Sequence, residues 1–300
     1  MIFKRLRFFA LTLLTAGFFA CSESGDNKTD APKESLFDDQ QLEIPQETME
    51  QLIDNVSSPI EMAALIKKAG ISFSKDYVSN PDKVDNLNTS FEQALRLGIL
   101  GSDLGYLNMY DKTGMVINYI SAIKSLADNL KVGQFFDFQT LKKLATNSTN
   151  LDSLMYLSVS SFNQMDNYLR ENKRTNISAL MVTGVWIEGL FLATQVVKSN
   201  PNVNISERIG DQKNMLNNII IILGNFKNDK NFAALVTDLN ELKEAYKDVK
   251  ISVEQGEPEQ VEENGRLVIK QNSKSVVEIT DAQLKNIIQV TEKIRNKLVQ

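Results

Sequence analysis

The stretch FEQALRLGILGSDLGYLNMY, residues 91–110, decides the fold of this chain. Its leucines recur at spacings of three and four, which is the period of an apolar face on an α-helix. Three glycines, Gly98, Gly101 and Gly105, interrupt this pattern, and each costs about 1 kcal/mol relative to alanine inside a helix. We predict a buried central helix whose glycines allow a second helix to cross it at short distance.

A second apolar stretch, residues 177–197, contains one charged residue, Glu188. By length alone it is able to cross a bilayer. An acid at the bilayer centre, however, costs about 2.5–3.5 kcal/mol even on the most lenient scales. We therefore predict a second buried helix, interrupted by Gly184 and Gly189, that packs against the helix at 91–110.

The rest of the chain is dominated by amphipathic patterns, and proline is scarce, with six residues in 300. Thr89 with Glu92 and Thr280 with Gln283 form capping boxes, which mark helix starts. Gly70 is placed to end a helix in the left-handed conformation. The further predicted helices lie at 45–57, 59–69, 115–131, 135–147, 152–171, 205–224, 232–247 and 281–298, with short helical turns in 71–88 and a turn at 147–150.

The periodicity changes to that of β-structure after residue 250. Asn264-Gly265 is a strong signal for a two-residue hairpin turn. Apolar segments that read as strands lie at 251–253, 267–269 and 276–279. The predicted fold class is therefore mainly α: a multi-helix bundle with a small β-hairpin, at about 251–279, before the last helix.

A targeting pattern occupies residues 1–20. Three basic residues precede an apolar run at 8–19, which is short for a membrane span, and Cys21 follows. The pattern resembles a bacterial lipoprotein signal peptide, which implies cleavage before Cys21, a diacylglycerol on its sulfur and a further acyl chain, such as palmitate, on the new amino terminus. The alternative is an ordinary secretory signal with an incidental cysteine.

Composition excludes several chemistries. Cys21 is the one cysteine and there is no histidine. Zinc sites built from Cys and His, Cys–His and Ser–His–Asp catalysis, and histidine haem ligation are therefore excluded. Removing the three basic residues of the signal lowers the formal charge from −5 to −8, which is unsuited to nucleic acid. We predict no metal and no cofactor.

The segment that follows the cysteine is predicted to be an acidic flexible tether, residues 21–44. Residues 22–41 hold six acids, two lysines and few large apolar side chains, so they cannot form a core. Residues 45–300 are predicted to form a single helical domain.

The residues next to Cys21 bear on location. Ser22 stands where an aspartate retains such proteins at the inner membrane, so we predict an outer-membrane protein. Glu23 and Asp26 resemble the surface-export signals of Bacteroidota lipoproteins. The prediction is a lipid-anchored protein on either the periplasmic face or the cell surface.

Several short motifs together resemble a family of uncharacterised helical lipoproteins of Bacteroidota. The likeness covers most of residues 58–197 and implies a location and a helical fold, but no activity. The motifs are SPIE at 58–61, ALRLG at 94–98, GSDLGY at 101–106, DSL at 152–154 and WIEG at 186–189.

Asp103 and Glu188 are the candidate functional residues. Each is an acid in apolar helical surroundings, and burial would raise its pKa. If the two central helices pack together, these acids share a crevice with Tyr106, Tyr110 and Trp186. The crevice is the candidate ligand-binding site, and no catalytic residue is assigned.

Three interpretations of the two acids stay open. In the first, each acid finds its hydrogen-bond or ion-pair partner inside the fold, Asp103 in Arg96 or a tyrosine hydroxyl and Glu188 in a basic residue of a neighbouring helix. In the second, the crevice binds a small molecule or glycan. In the third, the two carboxylates hydrolyse a substrate. We predict a non-enzymatic binding or scaffolding protein of the cell envelope. Its partners are then the membrane, through the lipid, and other envelope proteins.

Overall fold

The computed structural model describes residues 59–145, 151–263 and 266–300, and most of them are helical. All the described residues belong to one compact unit. In chain order the elements are α1 (Pro59–Lys68), α2 (Ser90–Met109), α3 (Thr113–Asn129), α4 (Phe138–Ala145), α5 (Leu151–Glu171), α6 (Thr175–Ser199), α7 (Val203–Gly224), α8 (Lys230–Ala245), the strands β1 (Lys250–Glu263) and β2 (Arg266–Glu278), and α9 (Asp281–Val299). The predicted fold class, mainly α with a hairpin before the last helix, is confirmed.

Some predictions lie outside the described residues. They are the signal peptide at 1–20, Cys21, the tether at 21–44, the helix at 45–57, the turn at 147–150 and the turn at Asn264-Gly265.

Helices α2 and α9 begin at the two predicted capping boxes. The Thr89 hydroxyl accepts the Glu92 N–H at 3.2 Å, and the Glu92 carboxylate accepts the Thr89 N–H at 3.1 Å. Thr280 and Gln283 form the same reciprocal pair at the start of α9. These bonds satisfy N–H groups that no helical carbonyl reaches.

The two predicted core helices, α2 and α6, cross in backbone contact. A Cβ added to Gly98 would lie 2.1 Å from the carbonyl oxygen of Met181, and one added to Gly184 would lie 2.2 Å from the carbonyl oxygen of Leu95. No side chain fits at either position, so glycine is required for this approach. The predicted close crossing is confirmed at these two glycines.

The other glycines have a different role. Among the described residues, nothing lies within 4 Å of a Cβ added to Gly101 or Gly189. The prediction that these two also mark the crossing is therefore wrong. Gly98 and Gly184 make the backbone contact, whereas Gly101 and Gly189 have room for a side chain.

Helix α6 is long and apolar enough to cross a membrane, with a mean hydropathy of 1.6. In the folded protein, other elements bury 89% of the apolar 18-residue stretch of this helix. It is a core helix, as predicted, and its apolar character follows from being surrounded on all sides.

The segment between α1 and α2, residues 71–88, is here called the strap. It contains two short 3-10 helices, Lys75–Tyr77 and Pro81–Asn86, joined by extended residues, which confirms the predicted short helical turns. Gly70 has a φ of +77°, so α1 ends in the predicted left-handed conformation. The strap packs against the second half of α2, where Ser74 binds Tyr106 and Ser79 binds Asp103.

The strands β1 and β2 pair antiparallel from Lys250↔Glu278 to Glu263↔Arg266, with an irregularity between Gln255 and Pro258. The predicted hairpin is confirmed, but its strands are longer than the apolar segments that predicted them. Polar residues fill the middle of both strands, so no hydrophobic alternation marked them. Through β2, the base of the hairpin packs on α7.

Candidate functional site

The crossing of α2 and α6 brings the two predicted acids together. Asp103 lies five residues beyond Gly98 on α2, and Glu188 lies four residues beyond Gly184 on α6. Because the helices run in the same direction here, both acids come one turn past the crossing. Both carboxyl groups are fully buried, at 0% exposure, and they are close neighbours.

Asp103 is held by the strap. Its Oδ2 accepts the Ser79 N–H at 3.0 Å and the Ser79 hydroxyl at 2.5 Å. Ser79 is itself fixed by the Tyr119 hydroxyl on α3, which donates to the Ser79 carbonyl at 2.5 Å. Among the described residues, no group donates to the other oxygen, Asp103 Oδ1.

Glu188 forms a buried ion pair with Arg295 of α9. The guanidinium donates from Nε to Oε2 at 2.9 Å and from Nη2 to Oε1 at 2.7 Å, so the contact is bidentate. Its carbon lies 4.2 Å from the centre of the Phe191 ring, which adds a cation–π contact. Charge, hydrogen bonds and packing therefore all hold α9 against α6.

Arg96, in the first half of α2, completes a cluster of charged residues with Asp103, Glu188 and Arg295. It is 2% exposed, and its Nη2 donates to the Leu298 carbonyl at 3.2 Å, in the last turn of α9. A cation at a helix C-terminus interacts favourably with the carbonyls that lack helical partners. The Nε and Nη1 groups of Arg96 have no partner among the described residues.

The electrostatics of the cluster follow from its burial. Burial raises the pKa of Asp103 well above its usual value and the charge of Glu188 raises it further, although the Ser79 hydrogen bond and the charge of Arg295 oppose this. Burial acts to lower the pKa of Arg295, but its hydrogen bonds to Glu188 and the charge of that acid outweigh burial and raise it. Burial lowers the pKa of Arg96.

The predicted aromatic residues do not join the two acids through their polar groups. The Tyr106 hydroxyl accepts the Ser74 N–H at 3.1 Å, and the Tyr110 hydroxyl donates to the Ile71 carbonyl at 2.6 Å. Both tyrosines therefore fasten the beginning of the strap. Trp186 points towards α7, where its Nε1 donates to the Gln212 side chain at 3.0 Å.

The hypothesis that the acids are satisfied within the fold is confirmed for Glu188, whose partner is an arginine of a neighbouring helix. For Asp103 the hydrogen-bond partner is Ser79, not Arg96 or a tyrosine hydroxyl. A serine in an irregular segment carries no sequence signal for this role. Arg295 did carry one, because it falls on the apolar face of α9 that Ile287, Ile288 and Ile294 define.

An open groove of about 540 Å³ lies elsewhere on the surface, beside α7 and β2. Its lining residues are Leu65, Asn204, Glu207, Arg208, Asp211, Ser275 and Val277. None of the predicted site residues lines it. In the described part of the chain, no group of three or more metal-ligating side chains is placed to hold an ion.

No protein family model matches this chain, and no curated protein and no solved structure proved similar to it. The resemblance to helical lipoproteins of Bacteroidota therefore stays a prediction. The same holds for the ligand crevice at Asp103 and Glu188, which in this conformation has no opening through which a ligand reaches the carboxyl groups.

Proposed function

We propose that the protein is a lipid-anchored protein of the bacterial cell envelope whose folded domain is a non-catalytic binding or scaffolding module. The observation that supports a non-catalytic role is the state of Asp103 and Glu188, which are fully buried and bonded to the strap and to α9. A hydrolytic carboxylate has to contact its substrate or a water molecule. In this arrangement the two acids instead contribute to the cohesion of the fold.

The proposed anchor is the lipid on Cys21, and the proposed location is the outer membrane, on its periplasmic face or on the cell surface. The tether at 22–44 spans at most about 80 Å when fully extended. Its excess of acids favours separation from an anionic membrane surface. The folded domain is then able to meet partners at a distance from its own anchor.

We assign partner binding to the hairpin formed by β1 and β2. Its base docks on α7, where the Lys213 ammonium donates to the Val249 carbonyl at 2.7 Å and the Ser275 hydroxyl donates to Asp211 at 3.1 Å. The sheet has two strands, so each strand has one edge without a neighbouring strand in the described part of the chain. Such edges accept a further strand from a partner through main-chain hydrogen bonds.

The anchor is tested by growing a Gram-negative host with radiolabelled palmitate. The wild-type protein is expected to carry the label and to sediment with the membranes, whereas Cys21→Ala is expected to lose both properties. Equal labelling of the two proteins, or a cleaved and unlabelled wild-type protein, contradicts lipid attachment. Protease added to intact cells then separates the cell surface from the periplasmic face.

The binding role is tested by photo-crosslinking in intact cells with a hairpin-shortened variant. In this variant an Asn-Gly turn joins Glu254 directly to Lys274, which are register partners, so the docked base is kept. We expect the crosslinked partner to decrease more than tenfold, with an unchanged unfolding midpoint. The same partner at wild-type yield contradicts the assignment to the hairpin, and turnover of a glycan that Asp103→Asn abolishes contradicts the non-catalytic role.

A further inference from the structure

Where Asp103 and Glu188 meet, one carboxyl oxygen of Asp103 lacks a hydrogen-bond partner in the described part of the chain. Asp103 Oδ1 is buried and has no donor among the described residues, and the carboxyl group of Glu188 is a close neighbour of the same side chain. Buried polar atoms in folded proteins are almost always hydrogen-bonded, because an unpaired one loses its water without compensation. Two carboxylate oxygens in contact repel each other unless a proton lies between them.

A proton between the two acids removes this conflict. The contact then becomes an O–H···O⁻ hydrogen bond, which is among the stronger hydrogen bonds in proteins. Both Glu188 oxygens already accept N–H groups of the Arg295 cation. Asp103 receives only the neutral donors of Ser79, so the proton belongs on Asp103.

We propose that folded Asp103 keeps a proton on Oδ1 at neutral pH and donates it to Glu188, completing one hydrogen-bond chain that fastens the strap to the core. The chain runs from the Tyr119 hydroxyl to the Ser79 carbonyl, from Ser79 to Asp103, from Asp103 to Glu188, and ends at Arg295. It therefore connects α3, the strap, α2, α6 and α9. Loss of the proton at higher pH breaks its central bond, which joins α2 to α6, and leaves two buried carboxylates side by side.

Every charged group around Asp103 affects whether that side chain keeps its proton. Arg295 is already paired with Glu188, and Arg96 donates to the end of α9, so neither gives Asp103 a hydrogen bond. The groups that act on Asp103 or on its hydrogen-bond chain are Glu188 of α6, Arg295 of α9, Arg96 of α2, and Tyr119 of α3, on which Asp82 of the strap also acts.

The direction of the pH dependence follows from the raised pKa of Asp103. An unfolded aspartate ionises near pH 4, whereas folded Asp103 still holds its proton above that pH. The unfolded state therefore releases a proton that the folded state keeps, and stability falls as pH rises. Until the folded pKa is reached, Asp103 multiplies the unfolding constant by about ten for each pH unit.

The first test measures the proton directly. Carbon-13 NMR of the full wild-type chain, labelled at the aspartate side-chain carboxyl carbons, is expected at pH 7 to show one protonated resonance that Asp103→Asn removes. Labelling the glutamate side-chain carboxyl carbons tests whether the proton lies on Glu188 instead. If every aspartate is ionised at pH 7, or if the proton lies on Glu188, the proposal is overturned.

The second test uses urea unfolding between pH 5 and 8. The side-chain amide of the Asp103→Asn variant mimics the protonated acid, so the unfolding constant of the wild type is expected to rise about tenfold per pH unit relative to this variant. Asp76→Asn is the matched control, since Asp76 is an exposed aspartate of the same strap. It is expected to follow the wild type, and parallel profiles for all three proteins overturn the proposal.

Discussion

The pair formed by Glu188 and Arg295 joins residues 107 positions apart in the chain, and both side chains are almost entirely buried. Removing two charges from water costs several kcal/mol per ion, and only good geometry with additional hydrogen bonds compensates this cost. The bidentate contact and the Phe191 ring provide such a setting. At the scale of the residue, the pair is therefore sensitive to the loss of either partner.

Glu188→Gln is expected to lower the free energy of unfolding by about 3–5 kcal/mol, because it leaves the Arg295 charge buried without its counter-ion. Urea denaturation at pH 7 measures the change. The matched control is the double variant Glu188→Leu with Arg295→Met, which replaces both charges by apolar groups and is expected to recover most of the loss. A double variant as unstable as the single one would show that the charge is not the cause.

At the scale of the element, the contact between α2 and α6 depends on the absence of a side chain at Gly98 and at Gly184. Gly98 meets the α6 backbone at Met181 and Val185, and backbone atoms cannot move aside without moving the helix. Gly101, three residues later, faces open space among the described residues. The sequence offers no way to distinguish these glycines, since both interrupt the same apolar helix.

Because Gly98 meets a backbone and Gly101 does not, replacing each by alanine is expected to change the free energy of unfolding in opposite directions. Gly98→Ala is expected to lower the free energy of unfolding by about 1–3 kcal/mol, because it overpacks the crossing. Gly101→Ala is expected to raise it by up to about 1 kcal/mol, because alanine is the better helix former. Urea denaturation of both variants tests this, and a loss of stability in Gly101→Ala would contradict the open space at that position.

The length of the hairpin strands is a second feature of an element that the sequence did not predict. Its apolar segments predicted short strands, but pairing continues through polar residues in the middle of both strands. The register places Glu254 opposite Lys274 and Glu259 opposite Lys270. The sequence alone does not show which residues face each other, since that depends on how the two strands are aligned.

At the scale of the whole molecule, α9 is the element that completes the core. Ile287 and Ile294 are buried, and Arg295 neutralises Glu188 on another helix. Arg96 binds the last turn of α9, so the end of the chain is attached to the central helix. We therefore expect the packing of the remaining helices to depend on α9.

A chain that ends at Thr280 is therefore expected to lose cooperative unfolding, because it exposes the surface that α9 covers and leaves Glu188 without a counter-ion. Circular dichroism during heating measures this. The matched control ends at Val299 and lacks only the exposed Gln300, so it is expected to unfold like the full chain. A sharp transition in the chain that ends at Thr280 would mean that α1 to α8 form a core without α9.

By itself, the sequence determined the helical class, the positions of most helices, both capping boxes, the left-handed end at Gly70 and the meeting of the two central helices. These features depend on periodicity and on residues a few positions apart, which a sequence displays directly. Only the tertiary structure decided which glycine makes the crossing, that Ser79 binds Asp103, that Arg295 neutralises Glu188, and that the predicted tyrosines hold the strap. Each of these depends on groups from distant parts of the chain that come within hydrogen-bonding or van der Waals distance only after the helices have packed.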